Sequence, residues 1–119
     1  MGYVESYILP VKAADLAAYA EIAAQSAAIW RRLGALTVME ATADKVPHGE
    51  VTSFPRSVLA EPDEVVVIAN LTFRDREHRD AVMAAMFADA EMLALMERAP
   101  VDGRRMIWGG FDIIVNEGS

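Results

Sequence analysis

The sequence contains no cysteine and only two histidines in 119 residues. The absence of cysteine excludes disulfides, thiolate metal sites and a thiol nucleophile. A haem site usually needs a histidine as its axial ligand, and His48 and His78 fall in segments whose patterns predict a loop and a solvated helix surface. We therefore expect neither a metal site nor a cofactor.

Positive charge is also scarce. Eleven Lys and Arg residues against eighteen Asp and Glu residues give a formal net charge of −7, and an acidic surface repels phosphate backbones and anionic lipids. No segment approaches the roughly 18 uncharged apolar residues of a membrane-spanning helix. The first ten residues, which include Glu5, lack the pattern of a secretory signal. These absences predict a cytoplasmic protein without a nucleic-acid or membrane partner.

The remaining composition is that of an ordinary globular protein, with 54% hydrophobic and 24% charged residues. A chain of this length forms one domain in most cases. No Gly/Ser-rich linker, low-complexity tract or long run of like charge divides it. We expect residues 1–119 to form a single domain.

Hydrophobic periodicity and turn residues predict the secondary structure. Strands are predicted at 3–9, 35–43, 64–73 and 105–115, helices at 13–33, 75–88 and 89–97, and an irregular segment with one helical turn at 44–63. The order β-α-β-β-α-β is typical of the ferredoxin-like α+β fold. Right-handed crossovers then give a four-stranded antiparallel sheet with the helices on one face.

Alternation along the strands predicts which side chains share a face of this sheet. The helix-covered face is predicted to hold Val4, Ser6, Ile8, Val65, Val67, Ala69, Leu71, Phe73, Ile107, Gly109, Phe111, Ile113 and Val115. The helix-free face is predicted to hold Tyr3, Glu5, Tyr7, Leu9, Leu36, Val38, Glu40, Thr42, Asp44, Val66, Ile68, Asn70, Thr72, Met106, Trp108, Gly110, Asp112 and Ile114. That second set is too apolar for a face left in water. Two copies packed by a twofold axis would bury it, so we expect a homodimer through the helix-free sheet face.

The predicted helix-free face also mixes aromatic and polar groups, as small-molecule sites do. Our candidate ligand-binding residues are Tyr3, Glu5, Tyr7, Glu40, Asn70 and Trp108, for a small aromatic or apolar ligand. A carboxylate in an apolar cleft has a raised pKa and serves as an acid or base. The alternatives stay open: the carboxylates pair with arginines such as Arg56, Arg79 or Arg105, and the aromatic residues are interface anchors.

Several segments resemble the YbaA-like family of small bacterial proteins, domain-of-unknown-function family 1428. They are Y-V-E-S-Y-I-L-P-V at the start, G-A-L-T-V-M-E from Gly34, V-T-S-F-P-R from Val51, P-D-E-V-V-V from Pro62, H-R-D from His78 and D-G-R-R-M-I-W-G-G-F from Asp102. The resemblance spans nearly the whole chain. The chain departs from the usual family pattern at five positions: Glu5-Ser6 replaces Asp-Gly, Lys45 and His48 each replace an Asp, and Asn70 replaces an aromatic residue.

The resemblance implies the dimeric α/β-barrel superfamily, which includes cofactor-independent monooxygenases, isomerases, haem enzymes and ligand-sensing domains. Two hypotheses follow. In the first, the protein is a small-molecule-binding homodimer with monooxygenase-like or isomerase-like chemistry that needs no cofactor, and the segment 44–63 covers its cleft. In the second, it is a non-catalytic dimer that serves assembly or ligand sensing. A cavity beside Glu5, Asn70 and Trp108 would favour the first hypothesis.

Overall fold

The computed structural model describes residues 2–118, and their strands and helices follow the predicted order. The elements are β1 (Tyr3–Lys12), α1 (Leu16–Leu33), β2 (Thr37–Thr42), α2 (Phe54–Ser57), β3 (Glu64–Phe73), α3 (Arg76–Phe87), α4 (Ala90–Arg98) and β4 (Ile107–Asp112). A turn of 3-10 helix, Ala13–Asp15, joins β1 to α1. The bounds of β3 are those predicted, whereas β2 and β4 are shorter.

Strand β1 is longer than predicted because Pro10 does not end it. Pairing of β1 with β4 stops at Ile8, so beyond that residue β1 has only β3 as a neighbour. The backbone N–H of Ala13 donates to the carbonyl of Asp63, and the alternation of an antiparallel ladder turns the nitrogen of Pro10 away from β3. The missing N–H of Pro10 therefore removes no bond from the sheet.

The four strands form one antiparallel sheet in the order β2-β3-β1-β4. This order, with two βαβ crossovers that place the helices on one face, is the ferredoxin-like arrangement. The predicted α+β fold class is confirmed.

Local sequence signals explain where the helices begin and end. Helix α1 is rich in alanine and ends at Gly34, whose φ of 122° favours glycine. The Arg31 guanidinium donates to the carbonyls of Ala35 and Leu36, which hold the turn after the helix. Asp75 and Asp89 accept hydrogen bonds from the N–H groups of the third residues of α3 and α4, as their N-cap positions predict.

The register of the sheet corrects the predicted faces. Tyr7 lies opposite Ala69 on β3 and Trp108 on β4, and Ala69 lies opposite Glu40 on β2. These four residues form one row across the sheet, and Glu5 lies on the same face. That face is the helix-covered one, because Val67, Ala69, Leu71 and Phe73 are buried on it. For β1, β2 and β4, the prediction therefore assigned the side chains to the wrong face of the sheet. For β3, the predicted faces are confirmed.

The helix-free face, which we call the open face, accordingly presents a different set of side chains. It consists of Val4, Ser6, Ile8 and Pro10 of β1, Thr37, Met39 and Ala41 of β2, Val66, Ile68, Asn70 and Thr72 of β3, and Ile107, Gly109 and Phe111 of β4. Phe111, Met39 and Ile107 are exposed on it. The face is still largely apolar, with Ser6 and Asn70 hydrogen-bonded to each other near its centre, Oγ to Oδ1 at 2.7 Å.

The hydrophobic core lies between the helix-covered face and the helices. Three groups of buried residues compose it: Ile29, Met83, Met86, Met92 and Leu95; Ala35, Leu71, Phe73 and Val82; and Leu9, Val11 and Val67. Gly110 has a packing role beside this core, since a Cβ there would lie 2.3 Å from the hydroxyl oxygen of Tyr3. The β1–β4 pairing continues through Gly109 and Gly110 without a bulge.

One buried ion pair holds the start of β3 to the turn before β4. Both Nη atoms of Arg105 donate to the carboxylate of Glu64, each at 2.7 Å, and the Glu64 side chain is 3% exposed. Arg105 also donates to the carbonyl of Leu59 and to Asp102. These hydrogen bonds lower the pKa of Glu64 to about 2. The pair thus ties the end of the long 43–63 segment to the sheet.

We predict that Glu64→Gln lowers the free energy of unfolding at neutral pH by about 2 kcal/mol, the usual value for hydrogen bonds to charged groups. Because the folded-state pKa of Glu64 is depressed, its contribution is present above the unfolded pKa and is lost as the pH falls towards 2. Urea unfolding at fixed protein concentration should therefore show the gap between wild type and variant closing in acid. Asp63→Asn, which breaks only the exposed pair with Lys12, is the control and should change stability little. A gap independent of pH would contradict the assignment.

Candidate functional site

A cleft of about 830 Å³ lies between the helix-covered face of the sheet and helices α1, α3 and α4. We call it the helix-side cleft. Its floor is formed by Glu5, Tyr7, Leu9, Glu40, Ala69, Leu71 and Trp108 of the sheet. Its walls are formed by Tyr19, Ile22, Ala23, Ser26 and Trp30 of α1, Arg79, Met83, Met86 and Phe87 of α3, and Met92, Leu95, Met96 and Glu97 of α4; Ala99, Val101, Gly103 and Met106 close one end. The volume is that of a typical site for a small organic molecule.

The cleft exists because small side chains face one another across it. Ala69 is the central residue of the Glu40–Ala69–Tyr7–Trp108 row, and Ala23 and Ser26 are its counterparts on α1. Large residues at these positions would fill the space between the layers, as Phe73 does in the adjacent core. The sheet and helices therefore separate around the row that holds the polar candidates.

The walls are unusually rich in methionine. Met83, Met86, Met92, Met96 and Met106 all line the cleft, out of seven methionines in the chain. Methionine is unbranched and polarisable, so it adapts to ligands of irregular shape. Phe87, Met96 and Trp108 are also exposed, and thus lie where the cleft meets solvent. The site offers an adaptable apolar volume with an apolar mouth.

Glu5 lies on the floor and is 0% exposed. The Nε of Arg79, on α3, donates to its Oε1 at 2.9 Å. Its other oxygen, Oε2, has no hydrogen-bond partner among residues 2–118. The Glu5 and Asp80 carboxylates hold the pKa of Arg79 above its ordinary range. The alternative that a candidate carboxylate pairs with an arginine is confirmed for Glu5, yet half of its bonding capacity stays unused.

Glu40 lies on β2, at the far side of Ala69 from Tyr7, and is half-buried. The hydroxyl of Tyr19 on α1 donates to its Oε1. Burial raises the pKa of Glu40, and the hydrogen bond from Tyr19 opposes that rise. A carboxylate whose pKa is raised by burial is a stronger base than an exposed one.

Tyr7 lies on the same face as both carboxylates, two residues from Glu5 on β1 and across Ala69 from Glu40. Burial, the charge of Glu5 and the charge of Glu40 raise the pKa of the Tyr7 phenol to about 12, against the lowering effect of Arg79. The phenol is therefore protonated at neutral pH and is available as a hydrogen-bond donor. The floor of the cleft thus holds two carboxylates and one phenol.

The structure separates the six candidate residues. Glu5, Tyr7, Glu40 and Trp108 line the helix-side cleft. Tyr3 packs at the sheet end against the core group that includes Phe73, and Asn70 lies on the open face with Ser6. The expectation of one common face is wrong for Asn70 alone, because Asn70 belongs to the alternating set of β3 that pairs with Ser6, while Tyr3, Glu5 and Tyr7 pair with the buried set.

Sequence reasoning missed two residues that complete the polar region. Helical spacing puts Tyr19 on the apolar face of α1. A hydroxyl on an otherwise apolar face was the available signal for a polar contact. Arg79 had been considered only as one ion-pair partner among three. Its connection to Glu5 spans 74 residues of sequence, and no local pattern encodes such a contact.

The segment 44–63 does not cover the cleft, which corrects that part of the first hypothesis. No residue that lines the helix-side cleft comes from this segment. It lies instead at the end of the sheet where α2 contacts β3, beside a smaller recess of about 430 Å³ that includes Asp44 and His48.

Within residues 2–118, no group of three or more acidic or histidine side chains is arranged to hold a metal ion. No helix in the same range is both long and apolar enough to cross a membrane.

The comparisons with known proteins agree with this fold. The crystal structure of a point mutant of SnoaB, a cofactor-independent oxygenase from Streptomyces nogalater, superposes with a TM-score of 0.58 at 16% sequence identity, covering 97% of this chain and 95% of that chain. At this identity, the likeness extends to the fold alone.

Sequence relatives define the family. The chain is 40% identical over 117 residues to the uncharacterized protein YbaA of Escherichia coli strain K12, covering 98% of this chain and 100% of the relative, and YbaA of Shigella flexneri gives the same values. Residues 2–103 match the family model described as "Protein of unknown function (DUF1428)". The chain therefore belongs to the DUF1428 family.

Proposed function

We propose that this protein is a homodimer in which each subunit binds a small, largely apolar molecule in the helix-side cleft. The observation that supports binding most directly is the cleft itself: about 830 Å³ of mainly apolar volume with a few converging polar groups, Glu5, Tyr7 and Glu40. This combination is the usual composition of a small-molecule site. Glu40 is the residue we assign to proton exchange with the bound molecule.

The proposal of a dimer rests on the open face. Phe111 is 57% exposed, and Met39 and Ile107 are exposed beside it. A contiguous apolar sheet face of this kind is seldom left in water. The face is one side of a single twisted sheet, so a second copy related by a twofold axis presents the same surface to it.

The reaction class that best fits the cleft is proton transfer without a cofactor. Glu40 is a half-buried carboxylate beside an apolar volume, and Tyr19 orients it. SnoaB, which has the same fold, is described as a cofactor-independent oxygenase. We extend that class to this chain as chemistry initiated by abstraction of a proton from the bound molecule by Glu40. The alternative of a ligand-sensing dimer uses the same cleft without that step.

We predict that the protein sediments as a species of twice the 13.0 kDa subunit mass. Phe111→Lys should raise the dimer dissociation constant about tenfold or more, because it places a charge in the apolar interface. Leu93→Lys, at another exposed apolar position, on α4, should leave the mass unchanged. Sedimentation equilibrium measures the mass of the wild type and of both variants. A monomeric wild type at micromolar concentration would refute the dimer.

We predict that the cleft binds the neutral fluorescent probe N-phenylnaphthylamine, with a rise in emission intensity as the probe leaves water. Ala23→Phe should weaken binding about tenfold or more, because the new ring occupies the cleft. Ala24→Phe places the same ring on the exposed side of the same helix and is the matched control. If the two variants bind the probe with equal affinity, the probe binds outside the helix-side cleft.

We predict that the pKa of Glu40 lies above the ordinary value of a glutamate. Tyr19→Phe should raise the pKa of Glu40 further, since the lost hydrogen bond favours the charged form. Carboxyl-carbon NMR of selectively labelled protein follows each group, with Glu40→Gln to assign its signal. A pKa of Glu40 that falls in Tyr19→Phe would contradict the proposed orienting role.

A further inference from the structure

The charges that line the helix-side cleft are mostly negative. Glu5, Glu40 and Glu97 lie along it, and Arg79 is the sole basic residue among the lining residues that the structure describes. The Arg79 guanidinium is already engaged, by Glu5 through Nε and by Asp80 through Nη1, each at 2.9 Å. The one cation that lines the described part of the cleft is therefore already paired with two carboxylates.

The two carboxylates on the floor of the cleft have unused capacity for accepting hydrogen bonds. Oε2 of Glu5 is fully buried and has no partner in residues 2–118. A buried carboxylate oxygen without a donor is costly, and the cost is larger for a charged group than for a neutral one. Tyr19 occupies only Oε1 of Glu40. A ligand that brings N–H donors to this region would satisfy acceptors that the chain leaves free.

Aromatic side chains accompany these acceptors. Tyr7, Tyr19, Trp30 and Trp108 all line the cleft. Aromatic rings attract organic cations through their quadrupole, most strongly where water is excluded. Glu5 lies two residues from Tyr7 on β1, and Glu40 lies across Ala69 from Tyr7 in the same row. A positive group beside Tyr7 is therefore on the same face of the sheet as both carboxylates.

We infer that the helix-side cleft selects organic ammonium compounds, molecules with an apolar body and a protonated amine head that lies near Glu5, Tyr7 and Glu40. The apolar body occupies the methionine-lined volume formed by α3 and α4. This inference rests on the proposed function, since it names the ligand class of the same cleft. It is carried by the excess of carboxylates, the unpartnered oxygen of Glu5 and the aromatic lining together.

The test compares three ligands that share one ring and differ in head-group charge: naphthylmethylammonium, naphthylmethanol and naphthoate. Their dissociation constants are measured at neutral pH by displacement of N-phenylnaphthylamine and directly by calorimetry. We expect the ammonium compound to bind about tenfold tighter than the alcohol, and naphthoate to bind most weakly. Equal affinities for the three, or tightest binding of naphthoate, would overturn the inference.

Variants of the carboxylates test whether the preference for the ammonium compound over the alcohol arises in the cleft. Glu40→Gln and Glu5→Gln should each reduce the ammonium-to-alcohol ratio about threefold or more, because each removes one charge without changing shape. Glu21→Gln removes an exposed charge of α1 and should leave the ratio unchanged. If Glu5→Gln does not fold, as circular dichroism would report, Glu40→Gln decides alone. A ratio that stays constant in every folded variant contradicts the inference.

The experiments distinguish a failure of small-molecule binding from a failure of the ligand class. If the protein binds neither the neutral probe nor the ammonium compound, both the proposed binding and the proposed ligand class are wrong. If the neutral probe binds and Ala23→Phe weakens it, but the ammonium compound shows no advantage over the alcohol, the cleft is a binding site and only the ligand class is wrong.

Discussion

The antiparallel register of β1 against its two neighbours determines which side chains each face of the sheet presents. Strand β1 is central, and its residues alternate between the helix-covered face and the open face. Glu5 and Tyr7 therefore lie beneath the helices, while Ser6 and Ile8 lie on the opposite side. A shift of one residue would exchange these sets and place a carboxylate in the proposed dimer interface. Every other feature of the cleft depends on this pairing.

The two faces of the sheet differ in composition. On the helix-covered side, small residues such as Ala69 keep the layers apart, and the buried Glu5–Arg79 pair joins the floor to α3. A buried ion pair of this kind adds little to stability when compared with apolar packing, although removing one partner is costly. Its presence is better explained by the polar region that it creates around Tyr7. The open face has no such pair and is suited to association.

The fold was predictable because its signals are local. Alanine content and Gly34 define α1, Asp75 and Asp89 mark the starts of α3 and α4, and β-branched residues define β3. The strand faces were not predictable for β1, because both of its alternating sets contain apolar residues. Hydrophobic alternation then fails to distinguish the buried set from the exposed one. Pairing with β3, whose buried set is clear, resolves the ambiguity only when the register is known.

The sequence by itself determined the ferredoxin-like fold class, the family, the absence of thiol chemistry and four of the residues that line the cleft. The tertiary structure alone decided that these residues face the helices, that Asn70 lies on the other side, and that Arg79 and Tyr19 complete the polar region. The physical reason is distance along the chain. Propensity and periodicity act over a few residues, whereas the Glu5–Arg79 and Tyr19–Glu40 contacts join elements that come together only when the sheet and helices pack.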